Sequence, residues 1–144
     1  MSPIRGLDAP TIMRIGAARL TAGLDRMPRL DLEAHRDIFG PLPRLTAEEL
    51  ISMTGQVDLR GQGGAAFPFA RKLSAVVKNA EENDCAPVVV VNATEGEPGS
   101  IKDKMLMIRS PYLILSGAAL VAEAIGAEEI VIGVAGNELA NRSM

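Results

Sequence analysis

Between Phe69 and Asn83 apolar residues recur at helical spacing: Phe69, Leu73, Val76, Val77 and Ala80 fall on one face, with Arg71, Lys78, Glu81 and Glu82 outside. The pattern then changes. Pro87-Val88-Val89-Val90-Val91-Asn92 is an unbroken apolar run, which predicts a strand covered on both faces, as in a parallel sheet. Glu129-Ile130-Val131-Ile132-Gly133-Val134 predicts a second strand. Between them, Ile101 to Ile108 has room for one or two helical turns. Ser110 stands as a cap before Pro111, at the first turn of a helix that runs to about Ile125 and is ended by Gly126. Strand, loop, helix, strand is a βαβ unit, expected to be parallel and right-handed.

Upstream, Thr46-Ala47-Glu48-Glu49 reads as a capping box opening a helix through Met53 that stops at Gly55. Residues 1–44 are interrupted by Pro3, Pro10, Pro28, Pro41 and Pro43 and read as an irregular arm with a short helix at about Asp31 to Asp37. That helix carries His35, the chain's lone histidine, expected to be a surface residue. The fold class is therefore α/β: a partial Rossmann-like parallel sheet with flanking helices, spanning residues 45–144. Two parallel strands make no complete sheet, so further residues are expected after Met144.

The 144 residues suffice for one modest domain, which buries roughly 68–70% of the surface its unfolded chain exposes. A net charge of -3 gives no electrostatic case for nucleic acid or an anionic membrane. Cys85 is the single cysteine, so the segment holds neither a disulfide nor an iron–sulfur or cysteine-rich zinc site of its own, and a reducing, cytoplasmic setting is expected. No metal-ligand pattern surrounds His35. The most apolar window, Tyr112 to Ala127, is short for a bilayer span and contains Glu123, so no direct membrane insertion is expected.

Two glycine-rich stretches carry the chemistry. Leu59-Arg60-Gly61-Gln62-Gly63-Gly64-Ala65-Ala66-Phe67-Pro68 runs into a helix, and Asn92-Ala93-Thr94-Glu95-Gly96-Glu97-Pro98-Gly99-Ser100 leaves the carboxyl end of a strand. Backbone without side chains admits positive φ and close approach to a phosphate or flat ring, and a helix start offers free N–H groups to an anion. The first stretch is no P-loop, for it lacks the Lys-Ser/Thr pair, and no dinucleotide fingerprint, for it precedes the β run. Read from spacing alone, it is equally a tight turn packing a helix. Lys72 is within reach of a phosphate there, or simply solvated. In the second stretch Asn92 offers an amide to a ring edge, while Glu95 and Glu97 flank Gly96 and suit ribose hydroxyls or ring N–H groups; a polar turn is the plain alternative. A glycosidase pair would need carboxylates roughly 5–9.5 Å apart and a sugar cleft, which nothing else supports.

In this order, the two stretches resemble the flavin-bearing, NADH-oxidising subunit of NADH:quinone oxidoreductase (respiratory complex I). The likeness runs from about Asp58 to Gly136 and rests on Leu59-Arg60-Gly61, Gly63-Gly64-Ala65, Phe67-Pro68, Lys72, Asn92-Ala93, Glu95-Gly96-Glu97-Pro98-Gly99, Lys102-Asp103 and Pro111-Tyr112-Leu113. The resemblance implies FMN and NAD(H) as cofactors. It implies that Gly61, Gly63 and Gly64 line the flavin phosphate and nucleotide path, that Lys72 pairs with the phosphate, and that Asn92, Thr94 and Glu95 lie at the flavin. Phe67 would stack on adenine, and Glu97, the one catalytic candidate, would face the ribose and nicotinamide. Hydride would pass from NADH to FMN, and electrons onward to an iron–sulfur electron-transfer subunit or ferredoxin-like acceptor, at a cytoplasmic site or one peripheral to a membrane complex.

The chain departs from the family at Gln62, where arginine is usual, at Ala66, where glycine is usual, and at Thr94, where aspartate is usual. Ala75 stands for the second aromatic of the NADH pocket. A carboxylate contact to the flavin is thereby lost and dinucleotide stacking weakened. The family also has a second flavin-binding segment, a ubiquitin-like domain and a [4Fe–4S] domain, expected only in a C-terminal part not contained in this sequence. The chain reads as the N-terminal piece of an NADH dehydrogenase flavoprotein. The rival expectation is an incomplete fragment acting only as a docking module.

Overall fold

The structure, a computed structural model, describes residues 17–62, 65–97 and 99–134. Its elements are α1 (Leu32–Phe39), α2 (Ala47–Gln56), α3 (Phe69–Asn83), β1 (Val88–Ala93), α4 (Lys102–Arg109), α5 (Pro111–Ile125) and β2 (Glu129–Val134). β1 and β2 pair in parallel, from Val88 opposite Glu129 to Ala93 opposite Val134. A parallel pair needs a crossover connection. Here α4 and α5 supply it and pack on the sheet, while α2 packs on α3 and α5.

The local signals act as their chemistry predicts. Thr46 Oγ1 accepts from Glu49 N, and Glu49 Oε2 accepts from Thr46 N, closing the capping box of α2. Gly126 ends α5 in the left-handed region, φ +66°. Ser110 departs from its expected part. It makes no side-chain cap, because α4 and α5 meet there at 94° and its N–H still belongs to α4, donating to Leu106 O. Its carbonyl accepts from Leu113 N instead.

The valine run is covered on one face only among the described residues. Val89 and Val91 are half-buried and Ala93 is buried, whereas Val88 and Val90 are 51% and 67% exposed. In the parallel register Val131 shares the open face with Val88 and Val90 and is itself exposed. The alternation follows from the strand period of two with helices packed on a single side. No single helix among the described residues is long and apolar enough to cross a membrane; α4 and α5 qualify by length and composition only as a bent pair.

The described stretch before α1, residues 17–31, is fastened to the core. Arg109, buried, donates from Nε to Pro28 O (2.8 Å) and from Nη2 to Leu24 O (3.1 Å), and Leu30 N donates to Arg109 O (2.8 Å). Leu24 and Leu30 are buried beside it. Three carbonyl-level bonds thus replace the missing regular structure.

His35, expected on the surface, is buried. α1 lies against α5, and the imidazole sits near Phe39 and Tyr112 with Nε2 3.1 Å from Ser116 Oγ. Desolvation, reinforced by the charge of Arg36, lowers its pKa. The unfolded chain, with its histidine near 6.5, therefore takes up a proton before the folded chain does. The stabilisation is complete above pH 6.5 and declines as pH falls through the depressed value. Melting temperature should drop between pH 7 and 5, and His35→Gln should flatten that slope; an unaltered slope would assign the titration to another group.

Candidate functional site

The first glycine stretch is a pinched loop. Leu59 O accepts from Phe69 N (2.8 Å), Gly61 N donates to Phe67 O (3.0 Å), and Arg60 and Pro68 form an antiparallel bridge. Gly61 does not use the positive φ that glycine permits; Ala66 does, at φ +43°. A non-glycine residue held there costs roughly 1–2 kcal/mol, which makes Ala66 the strained point of the loop. Gly63 and Gly64 lie outside the described residues.

The pinch delivers the chain into α3 with Pro68 at the cap position and no capping side chain. Among the described residues the N–H groups of Ala70 and Arg71 have no partner, and no acid stands in the first turn. Instead that end carries Arg71 and Lys72. Cations at a helix N-terminus oppose the macrodipole, an arrangement that an anion would convert into attraction. The Arg71 guanidinium sits 5.7 Å from the Phe67 ring centroid. Lys72 makes no ion pair among the described residues. Phe67, half exposed, shares an open groove of about 460 Å³ with Lys72, Ala75, Val76 and Cys85. Ala75, the position that lacks the family's second aromatic, lines that groove. Arg71 is a site residue that the sequence reading passes over; its spacing of four residues from Phe67 was the available signal. A larger hollow, about 660 Å³ and lined by Asp25, Asp31, Glu33 and Asp37, lies beside α1 and contains none of these groups.

The second stretch springs from the carboxyl end of β1. Asn92 Oδ1 accepts from Thr94 N (3.1 Å) and Thr94 Oγ1 (2.7 Å). Glu95, at φ +38°, turns its carboxylate back into the loop. Oε1 takes the Lys102 ammonium at 3.0 Å and Oε2 the N–H of Asp103 at 2.7 Å, and the side chain is 2% exposed. Desolvation raises the carboxyl pKa, but hydrogen bonds from Ser100, Lys102 and Asp103 N, with the charge of Lys102, outweigh it and hold the group at about 2. Lys102 also reaches Asp103 at 3.3 Å. Glu97 is exposed and without a side-chain partner among the described residues; its carbonyl accepts from Ser100 N. Pro98 lies outside the described residues. Gly96 and Gly99 have open space where a Cβ would stand, Gly99 at φ +81°.

Phe67, Lys72 and Gly61 are thus brought together at the start of α3, and Asn92, Thr94, Glu95 and Glu97 at the end of β1. The two groups differ in readiness. Lys72, the Asn92 Nδ2 group and Glu97 are open to a ligand, while the Glu95 carboxylate is engaged in holding its own loop.

An α/β unit with a strand-end loop and an uncapped, basic helix start is the architecture of a nucleotide- or flavin-binding domain. The family described as the Nuo51 FMN-binding domain matches residues 55–143, and the chain belongs to it. The chain is 37% identical over 102 residues to an NADH-quinone oxidoreductase subunit of Rhizobium meliloti, covering 71% of this chain and 24% of that protein. It is 36% identical over 92 residues to an NADH-quinone oxidoreductase subunit of Aquifex aeolicus, covering 64% and 21%. It is 38% identical over 79 residues to the mitochondrial NADH-ubiquinone oxidoreductase 51 kDa subunit of Neurospora crassa, covering 54% and 16%. The chain therefore spans a quarter or less of the length of these relatives.

The Glu95 network gives a direct expectation. Its ordering of the loop is complete above the ordinary carboxylate range, near 4.3, and is lost as pH falls through about 2. Glu95→Ala should raise the hydrogen-exchange rate of the Asp103 amide roughly tenfold at neutral pH, the scale of one lost charge-assisted bond. Full protection in the variant would show that the loop is held by other contacts.

Proposed function

We propose that this chain is the FMN- and NAD(H)-binding portion of an NADH dehydrogenase-type oxidoreductase. What carries the reading is family membership combined with the uncapped N-terminus of α3 and Lys72, which makes no ion pair among the described residues. Those groups fit a flavin phosphate. The N–H groups of Ala70 and Arg71 offer directed donors, and Lys72 supplies the charge. Phe67 offers a flat face for a base in the groove it shares with Lys72 and Ala75. With alanine at 75, that base is held from one side.

At the other end Asn92 would meet the isoalloxazine edge and Glu97 the reductant's ribose. Glu95, against the expectation of a direct flavin contact, serves best by fixing the backbone on which Asn92 and Glu97 stand. When bound, FMN supplies the hydride-accepting chemistry. The chain's part is to bind, to orient and to exclude water. Gly61, Gly63 and Gly64 would let the phosphate chain pass close to the main chain. Acceptance of electrons by an iron–sulfur subunit, at a cytoplasmic or membrane-peripheral site, belongs to the same proposal. The relatives are named as subunits of NADH-quinone and NADH-ubiquinone oxidoreductases.

Purified chain should take up FMN and show flavin absorbance, bleaching on addition of NADH. A colourless chain that takes up no FMN would favour the docking-module alternative. Lys72→Ala should weaken FMN affinity by roughly tenfold or more, the cost of a charge-assisted phosphate contact. Phe67→Ala should weaken NADH binding while leaving flavin content near wild type; the opposite pattern would exchange the two ligand assignments.

A further inference from the structure

Thr94 and Asn92 together form an arrangement that the flavin reading alone does not require. Asn92 Oδ1 accepts from both the Thr94 N–H and the Thr94 hydroxyl. The main-chain N–H of residue 94 can be met only by the amide oxygen and so sets which way Asn92 is turned, and the shorter bond from the Thr94 hydroxyl holds it there. Its oxygen faces the loop. Its Nδ2 group, with two donors, has no partner among the described residues, and Asn92 is exposed in the strand position of the open face.

Thr94 is itself held. Its methyl carbon lies 3.7 Å from where a Cβ would stand on Gly133, the residue paired with Asn92 across the sheet. The branched side chain is bonded to Asn92 through its hydroxyl, and its methyl stands over the space that a side chain at 133 would take. An aspartate at 94 has no hydroxyl hydrogen to give. Its carboxylate would stand against the Asn92 oxygen and work against the orientation that the main-chain N–H sets.

We propose that Thr94 is a positioning residue that makes Asn92 a pure hydrogen-bond donor toward the bound ring. The ligand atom recognised at Asn92 is accordingly an acceptor, a ring carbonyl or an unprotonated ring nitrogen, and not a ring N–H. This rests on the flavin reading above. An oxidised isoalloxazine offers both kinds of edge, and the donor amide selects between them. Reduction adds electron density to the acceptor atoms, so a donor placed there favours the reduced flavin as well as binding the oxidised one.

The test uses the full 144-residue chain, with FMN as the probe and two readouts: the dissociation constant from fluorescence quenching and the midpoint potential of bound flavin. Thr94→Val keeps the shape and removes the hydroxyl. It should weaken FMN roughly fivefold, as expected for one lost hydrogen bond near the surface, and make the potential more negative. Thr94→Ser keeps the hydroxyl and should retain both values. Thr94→Asp should weaken binding further. Tighter binding by Thr94→Asp would mean that position 94 acts on the flavin directly, and would overturn the proposal. So would wild-type behaviour of Thr94→Val beside an impaired Thr94→Ser, since packing on Gly133 would then be the only role. Asn92→Asp keeps an acceptor for Thr94 and removes the outward donors; unchanged FMN affinity in that variant would overturn the proposal independently of how Thr94→Val folds. A wild-type chain that binds FMN while these variants are unaffected defeats this inference and leaves the flavin reading standing; a wild-type chain that binds none defeats both.

Discussion

Parallel pairing of β1 with β2 puts both strand ends on one side and obliges the chain to travel the full length of the sheet between them. That single constraint sets most of the geometry. The return path is α4 and α5, bent sharply at Ser110, and their packing buries Val89, Val91 and Ala93 from one side. The register brings Gly133 opposite Asn92, so the strand that follows the crossover leaves bare backbone beside the residue that opens the second loop. Thr94 occupies that bareness with its methyl group. The place where chemistry is possible is thus a product of strand register before it is a product of any side chain's reactivity.

The two loops solve different problems. The first is closed by main-chain bonds between its own stems, Gly61 to Phe67 and Phe69 to Leu59, and it leaves the helix end it leads into electrically unsatisfied. The second is closed by a side chain. Glu95 accepts a main-chain N–H and an ammonium in a nearly solvent-free position, and tolerates a left-handed backbone to do so. Positive charge is therefore available at the first loop, whereas at the second the Glu95 carboxylate is consumed and Glu97 stays exposed. On the reading proposed above, the phosphate of the flavin goes to the start of α3 and its ring edge to the end of β1.

Burial of polar groups away from the loops explains how residues 17–31, which form no regular helix or strand, stay attached. Arg109 gives its guanidinium to carbonyls that have no helix or sheet partner, and His35 joins α1 to α5 through Ser116. Each meets part of its hydrogen-bonding capacity there: Arg109 through Nε and Nη2 and His35 through Nε2, while Arg109 Nη1 and His35 Nδ1 are buried without a partner among the described residues.

Local signals in the sequence determined much of the outline. The period of α3, the capping box of α2, Pro111 and Gly126 at the ends of α5, and the two apolar strand runs act over a few residues, so the chain itself specifies them. Most residues of the candidate site were visible for the same reason, since the glycine stretches, Phe67, Lys72 and the Asn92 to Glu97 run are contiguous, though Arg71 beside them was passed over. Other features required the tertiary structure. His35 reads as a surface residue because nothing in its own helix reveals that Tyr112 and Ser116 of α5 will cover it. The valine run could not reveal that one of its faces has no cover among the described residues, because that depends on where helices pack. Glu95 and Glu97 alternate around one glycine and look equivalent on paper, yet one is locked to Lys102 and the other is free to the solvent. Their difference arises from the direction each side chain takes when the backbone turns left-handed at Glu95, a geometry that residue types and spacing do not encode.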